Sequence, residues 1–243
     1  ADRLERAGQQ HLLAGWAGWD DATRVRLVEQ LETIDLDRVA RLWAVEAATG
    51  VDLAAISPPS QLVRLPDSPE TEGNWQAGRS VGRDLLSAGQ AAVVTVAGGQ
   101  GTRLGFDQPK GLFPIMPVSG KSLFEHFAET IRARADRCGA RLPWLVMTSE
   151  STDEETRAFF ESHDCFGLPD DDVWLFRQGN MPAVDEATGQ VLRAAPGRLA
   201  MSPDGHGGLL EALGRGGLLE RLADRGIDTL FCHQVDNAAV AIA

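Results

Sequence analysis

The order of apolar and polar positions changes character part-way along the chain. From residue 3 to residue 50 apolar side chains recur at helical spacing. Leu4, Leu12 and Leu13 share a stripe with Trp16, Val25, Val28, Leu31 and Leu36 form a second, and Val39, Leu42, Trp43 and Val45 a third. Asp20 or Asp21 is placed to cap the second helix and Gly50 to end the third. These positions predict an all-helical accessory region with no chemistry of its own. Pro58, Pro59, Pro66 and Pro69 then mark a linker, and residues 75–88 read as a helix with Trp75, Val81 and Leu85 turned inward.

Beyond residue 90 short apolar runs rich in β-branched residues alternate with helical stretches. Strands are predicted at 91–97, 144–148, 173–176 and 229–233, and helices over 121–138, 152–163, from Leu209, and over 218–223. Ser151 and Glu154 have the spacing of a capping box. Residues 182–184 and 191–193 around a turn at 187–189 read as a hairpin, with a further short strand at 198–201. The near-copies GGLLEAL and GGLLERL, at 207–213 and 216–222, are two short helices with similar faces, since a repeat architecture needs longer periods. Alternating strands and helices predict an α/β fold with a mostly parallel sheet and helices on both faces. The expected division is an N-terminal helical domain and linker, 1–88, followed by an α/β domain, 89–243. In such sheets ligands bind beyond the carboxyl ends of the strands, where the glycine loop at 98–105, Gln178, the 203–208 loop and Asp236 all lie.

Composition sharpens this. The 243 residues are 43% hydrophobic and 24% charged, the balance of an ordinary globular chain. The net charge of -12 and pI near 4.8 disfavour nucleic acid and anionic membranes as partners. No apolar run approaches the ~20 residues that span a bilayer. Cys138, Cys165 and Cys232 are odd in number and widely spaced, which predicts free thiols and a cytoplasmic setting. His11, His126, His163 and His233 lack metal-ligand spacing and read as structural or surface residues. The final residues, 238–243, stop inside an apolar run, so the sequence reads as a piece of a longer chain.

The stretch VVTVAGGQGTRLGFDQPKGLFP, residues 93–114, carries the chemistry. A strand ending in glycines presents backbone N–H groups that favour anions, and Arg103 and Lys110 add a guanidinium and an ammonium. Together they suit a polyphosphate. Only Lys110 and Lys121 are lysines, which makes a compact ammonium at position 110 notable. A dinucleotide fingerprint fails because Leu104 stands where its third glycine belongs, which disfavours a nucleotide-dependent oxidoreductase. Gly120, Lys121 and Ser122 imitate the end of a Walker A loop, but Ile115 replaces its first glycine, and the stretch reads as a turn and a helix start.

The string AGGQGTRLGFDQPKG resembles the signature of the eukaryotic-type UDP-sugar pyrophosphorylases. The resemblance continues through PWLVMTS, FFESHDCFGL, RQGNMPA, MSPDGHGGL and VDN, over roughly residues 70–243, and is closest to the N-acetylhexosamine branch. It implies a Rossmann-like, GT-A-like nucleotidyltransferase sheet with an N-terminal helical domain, an incomplete catalytic domain, and further family segments beyond Ala243. The implied reaction is attack of a sugar-1-phosphate on the α-phosphorus of UTP with release of pyrophosphate, in which positioning and charge neutralisation supply the catalysis. The implied site has Ala97, Gly98, Gly99, Gln178 and Gly205 on UTP, Arg103 on the departing pyrophosphate, and Lys110 bridging phosphates. It puts His206 on the sugar phosphate and Asp236 on Mg2+. A carboxamide such as Gln178 matches the imide edge of uracil. At position 206 the N-acetylglucosamine enzymes resemble one another in Asn and the glucose enzymes in His, so the sugar stays open between N-acetylglucosamine, N-acetylgalactosamine and glucose. A UDP-glucose or broad-specificity enzyme and a non-catalytic nucleotide-binding regulator are the alternatives.

Overall fold

The structure is a computed structural model that describes residues 2–48, 53–59 and 65–241. In chain order the helices are α1 (Asp2–Arg6), α2 (Asp21–Glu32), α3 (Leu36–Ala48), α4 (Pro69–Ser87), α5 (Leu123–Cys138), α6 (Asp153–Ser162), α7 (Leu209–Arg215) and α8 (Leu218–Asp224). The strands are β1 (Ala91–Val96), β2 (Trp144–Thr148), β3 (Val173–Arg177), β4 (Asn180–Pro182), β5 (Arg193–Ala195), β6 (Arg198–Leu199), β7 (Met201–Pro203) and β8 (Thr229–Gln234).

The chain divides into two compact units, residues 1–63 with 180–203, and residues 64–179 with 204–243. This differs from the expected boundary at residue 88. Helix α4 belongs with the sheet because Leu85 and Leu86 pack into the same apolar cluster as Val93 and Phe124. Residues 180–203 leave the sheet because their own apolar side chains, Val191 and Leu199, are buried with Leu4, Leu12 and Leu27.

The second unit holds a parallel sheet in the order β3-β2-β1-β8. Successive side chains point to opposite faces. Val93, Trp144 and Val146 face a cluster with Leu86, Phe124, Phe127, Ile131 and Phe160 of α4, α5 and α6. Val94, Leu145, Met147, Trp174 and Phe176 face Ala212, Leu213 and Leu222 of α7 and α8. With both faces covered, the central strands β1 and β2 are buried almost throughout, and this is why they read as continuous runs, whereas β8 at the sheet edge is half exposed. A box of Ser122 and Glu125 caps α5, and Lys121 pairs with Glu129, so the Walker-like stretch is a helix start. The Ser151–Glu154 box does not form. Thr152 takes the cap position and its hydroxyl accepts the Ser149 N–H at 2.9 Å. On α4, Leu85 packs inward as expected, joined by Leu86, whereas Val81 is 65% exposed.

The first unit is mixed rather than all-helical. Strands β4 and β7 pair antiparallel, as do β5 and β6, and the expected hairpin closes through the Val184–Val191 bridge. Residues 4–16 are not one helix: α1 ends at Arg6 and two 3-10 turns follow. On α2 the core residue is Leu27, while Val25 and Val28 are exposed. Asp20 caps this helix, accepting from Thr23 N at 2.7 Å. Leu42 is exposed too, and Gly50 and the Val45 side chain lie outside the described residues.

Candidate active site

All the candidate residues belong to the second unit. The end of β1 is held from both sides: Ala97 N donates to Met147 O at 2.7 Å, and Val235 N donates to Val96 O at 3.0 Å. Ala97 itself is fully buried in the core and its N–H is taken by Met147 O, so this predicted UTP residue presents no surface to a ligand.

From there a continuous run of contacts crosses the strand ends. The Gly98 carbonyl accepts the Ser149 hydroxyl at 2.8 Å. A Cβ on Gly98 would stand 2.8 Å from Gln178 Nε2, so the carboxamide lies directly across this glycine. Gln178 is 9% exposed and its backbone N–H donates to Thr148 O at 2.9 Å. In the other direction, Lys110 N donates to Gly99 O at 3.1 Å, and the lysine stem passes 3.6 Å from where a Gly99 Cβ would be. The ammonium then meets Asp236 Oδ2 at 3.1 Å. The intervening loop is closed by the Gln100–Pro109 bridge and by Gly101 N donating to Gln108 O. Asp236, Lys110, Gly99, Gly98 and Gln178 therefore form one arc over the carboxyl ends of β8, β1 and β3. Beyond Gln178, Gly179 O accepts the Asp204 N–H at 3.0 Å, which brings the 205–208 turn to the end of the arc.

Arg103 and His206 are outside this contact network. Both are exposed, on the turns Thr102–Leu104 and Gly205–Gly208, and neither side chain has a hydrogen bond or ion pair among the described residues. Gly205 has φ +62° with open space around it, so its backbone conformation, and no protein neighbour, calls for glycine.

Two supports escaped sequence reading. Buried Asp153 accepts from Thr148 Oγ1 at 2.6 Å, Arg157 Nε at 2.9 Å and Arg177 Nε at 2.7 Å, tying together the ends of β2 and β3 where Gln178 emerges. Burial pushes its pKa up, but these hydrogen bonds outweigh that and hold the carboxyl below its usual range. The only signal was an acid in the first turn of a helix. Beneath the arc, Trp144 Nε1 donates to Thr95 Oγ1 at 2.7 Å, and that hydroxyl lies 2.8 Å from His233 Nε2. His233 Nδ1 lies 3.1 Å from the Gln234 carbonyl, so Nδ1 carries the proton and Nε2 accepts. This buried contact ties β1 to β8. Cys165 and Cys232 have thiol pKa values pushed up by burial, which makes them poor nucleophiles.

Among the described residues no three His, Cys, Asp or Glu side chains gather as metal ligands. The half-exposed Asp236 carboxylate is the one acidic group on the arc. A lone carboxylate suits Mg2+, which keeps waters and phosphate oxygens in its shell and seldom takes an all-protein cage.

The sequence model of a family described as UTP–glucose-1-phosphate uridylyltransferase matches residues 48–243. Among curated proteins, UDP-N-acetylglucosamine diphosphorylase 1 of Arabidopsis thaliana is 37% identical over 100% of this chain and 50% of its own length. UDP-N-acetylhexosamine pyrophosphorylase-like protein 1 of Homo sapiens is also 37% identical, over 99% of this chain and 50% of its own. The crystal structure of the uridine diphosphate N-acetylglucosamine pyrophosphorylase from Trypanosoma brucei, in complex with an inhibitor, superposes with a TM-score of 0.80 at 31% identity. It covers 99% of this chain and 51% of that one. The chain thus spans about half the length of the curated relatives it matches.

Proposed function

We propose, from the premise that the chain belongs to the UTP–glucose-1-phosphate uridylyltransferase family, that it carries the nucleotide-binding part of a uridylyltransferase. That enzyme makes a UDP-sugar, and the sugar is an N-acetylhexosamine. The observation that carries this is the arc itself: a carboxamide, two glycines, an ammonium and a carboxylate in unbroken contact at the carboxyl ends of parallel strands. The names of the two relatives at 37% identity support the N-acetylhexosamine.

In the reaction, a phosphate oxygen of the sugar-1-phosphate forms a bond to the α-phosphorus of UTP as the bond from that phosphorus to the bridging oxygen breaks. Pyrophosphate leaves with the electron pair. Gln178, set across Gly98, reads the imide edge of uracil with one donor and one acceptor. The open backbone at Gly205 lies beside the base. Lys110 neutralises charge that spreads over the phosphates, and Arg103 folds onto the departing pyrophosphate. Asp236 would hold Mg2+, which supplies further charge neutralisation on the phosphate oxygens. Lys110 and Asp236 now neutralise each other, and bound phosphate and Mg2+ would each replace one partner of that pair. His206 turns to the sugar phosphate. Three free thiols fit a cytoplasmic setting, and no helix of the described residues is long and apolar enough to cross a membrane.

The test is pyrophosphate release from UTP by the full-length protein, offered N-acetylglucosamine-1-phosphate, N-acetylgalactosamine-1-phosphate and glucose-1-phosphate in parallel. Release with the first two above glucose-1-phosphate is expected. UTP binding without release under any condition would reduce the protein to a nucleotide-binding module.

A further inference from the structure

Asp204 is the acid of the PDGHGG segment, and sequence reading gives it no role. In the structure its carboxylate occupies space vacated by two glycines. A Cβ on Gly208 would overlap the carboxylate carbon and both its oxygens, and a Cβ on Gly179 would overlap Oδ2. Gly208 is buried at the end of the 205–208 turn, and Gly179 directly follows Gln178. The backbone N–H of Asp204 closes the same junction by donating to Gly179 O at 3.0 Å.

The carboxylate does this without hydrogen bonds. Its Oδ1 is buried and has no partner, and neither oxygen receives a donor among the described residues. Arg215 Nη2 also approaches Gly179, at 2.5 Å from where a Cβ would stand, yet no ion pair joins it to Asp204. A buried acceptor left unpaired lowers stability, so a residue placed only for stability would be a poor choice here. What the side chain does supply is shape: a flat wedge between the end of β3 and the 205–208 turn.

We propose that Asp204 is the positioning residue for base selection. It sets the distance between Gln178 and Gly205, the two groups assigned to the uracil edge, and touches nothing on the phosphate side of the arc. This rests on the UTP reading of the site.

The consequence is a selective one. Asp204→Ala removes the wedge, so the preference of the full-length protein for UTP over CTP should fall by about tenfold or more, the equivalent of ~1.4 kcal/mol. Affinity for inorganic pyrophosphate should stay within about threefold, since Gly99, Lys110 and Asp236 are untouched. Asp204→Asn keeps the shape and gives up no protein hydrogen bond, so it should retain the preference. Gly179→Ala, whose methyl group pushes the same carboxylate aside, should reproduce the loss and serves as the independent probe if Asp204→Ala fails to fold. Calorimetric titration with UTP, CTP and pyrophosphate reads all four proteins. An equal fall in all three ligands, an unchanged UTP preference in Asp204→Ala or Gly179→Ala, or a loss in Asp204→Asn each overturns the proposal. Wild-type protein that fails to prefer UTP overturns the reading of the site itself.

Discussion

Two parts of the candidate site are built by opposite means. The arc from Asp236 through Lys110 and the glycines to Gln178 is fixed before any ligand arrives, because each member rests on the next and on buried supports at Asp153 and Thr95. The Arg103 and His206 side chains stand exposed on short turns with no partner among the described residues. Fixed groups cost nothing to order at the moment of binding, whereas immobilising a long side chain costs up to about 2 kcal/mol in rotamer entropy. On the proposed reading, recognition of the nucleotide would fall to the arc, and the two free side chains would serve groups whose charge or position changes during the reaction, where a bond made only in the transition state raises turnover.

The largest effect should come from breaking the arc at its charge. Lys110→Ala removes the ammonium and releases Asp236, and turnover in the full-length protein should drop by about 10³-fold, with UTP affinity falling as well. Arg103→Ala should lower turnover about 10²-fold while UTP affinity moves less than about threefold. Stopped-flow turnover paired with UTP titration separates the two. If Arg103→Ala weakens UTP binding more than Lys110→Ala does, fixed and free have been assigned the wrong way round.

A second way to break the fixed side is steric. Gly111 follows Lys110, is buried, and packs so closely on Phe124 that an added Cβ would overlap the nearest ring carbons. Gly111→Ala should overpack this spot by ~1–3 kcal/mol, lowering the melting temperature by roughly 2–4 °C per kcal/mol for a chain of this size. It should also shift Lys110 off Gly99. A variant as stable as wild type, with UTP affinity intact, would show that the arc tolerates movement and is less rigid than its contacts imply.

The same contrast explains what could be read in advance. The parallel strands were legible because burial on both faces leaves a run with few choices, and 144–148 matched to the residue. That the glycines, Lys110, Gln178 and Asp236 would meet at strand ends was legible from the glycine loop, the order of the strands and the family resemblance, and the structure brings them into one arc. What stayed hidden depends on partners far away in sequence. Nothing near Asp153 announces that Arg177 will reach it, and nothing near Asp204 announces a gap at Gly179. Helix faces failed where two apolar stripes competed: Val25 and Val28 outnumber Leu27 locally, yet Leu27 is the one that Val191 and Leu199 cover from more than 160 positions away. The affiliation of α4 and of residues 180–203 failed for the same reason, since pairing and packing set it and local composition does not.

The smallest effect sharpens the comparison from below. His233 ties β8 to β1 three residues before Asp236, so it supports the fixed side alone. Burial holds its pKa below the ordinary value of 6.5, partly offset by its bond to the Gln234 carbonyl. Among the described residues its neighbours offer no charge: Phe127 meets its ring edge-on at 4.7 Å, Phe231 lies at 6.2 Å, and Thr95 supplies the hydroxyl. The neutral imidazole is the form that accepts from Thr95. A histidine whose folded-state pKa is depressed contributes stability that is fully present above 6.5 and lost as pH falls from there through the folded value, because the unfolded chain takes up the proton first. Chemical denaturation between pH 7.5 and about 5 should therefore show stability declining with acid, and His233→Gln should flatten that slope although it lowers stability at pH 7.5. Affinity for UTP should follow the decline in the wild type, through Lys110 and Asp236. An identical slope in both proteins would remove His233 from the support of the arc and leave Asp153 as its buried brace.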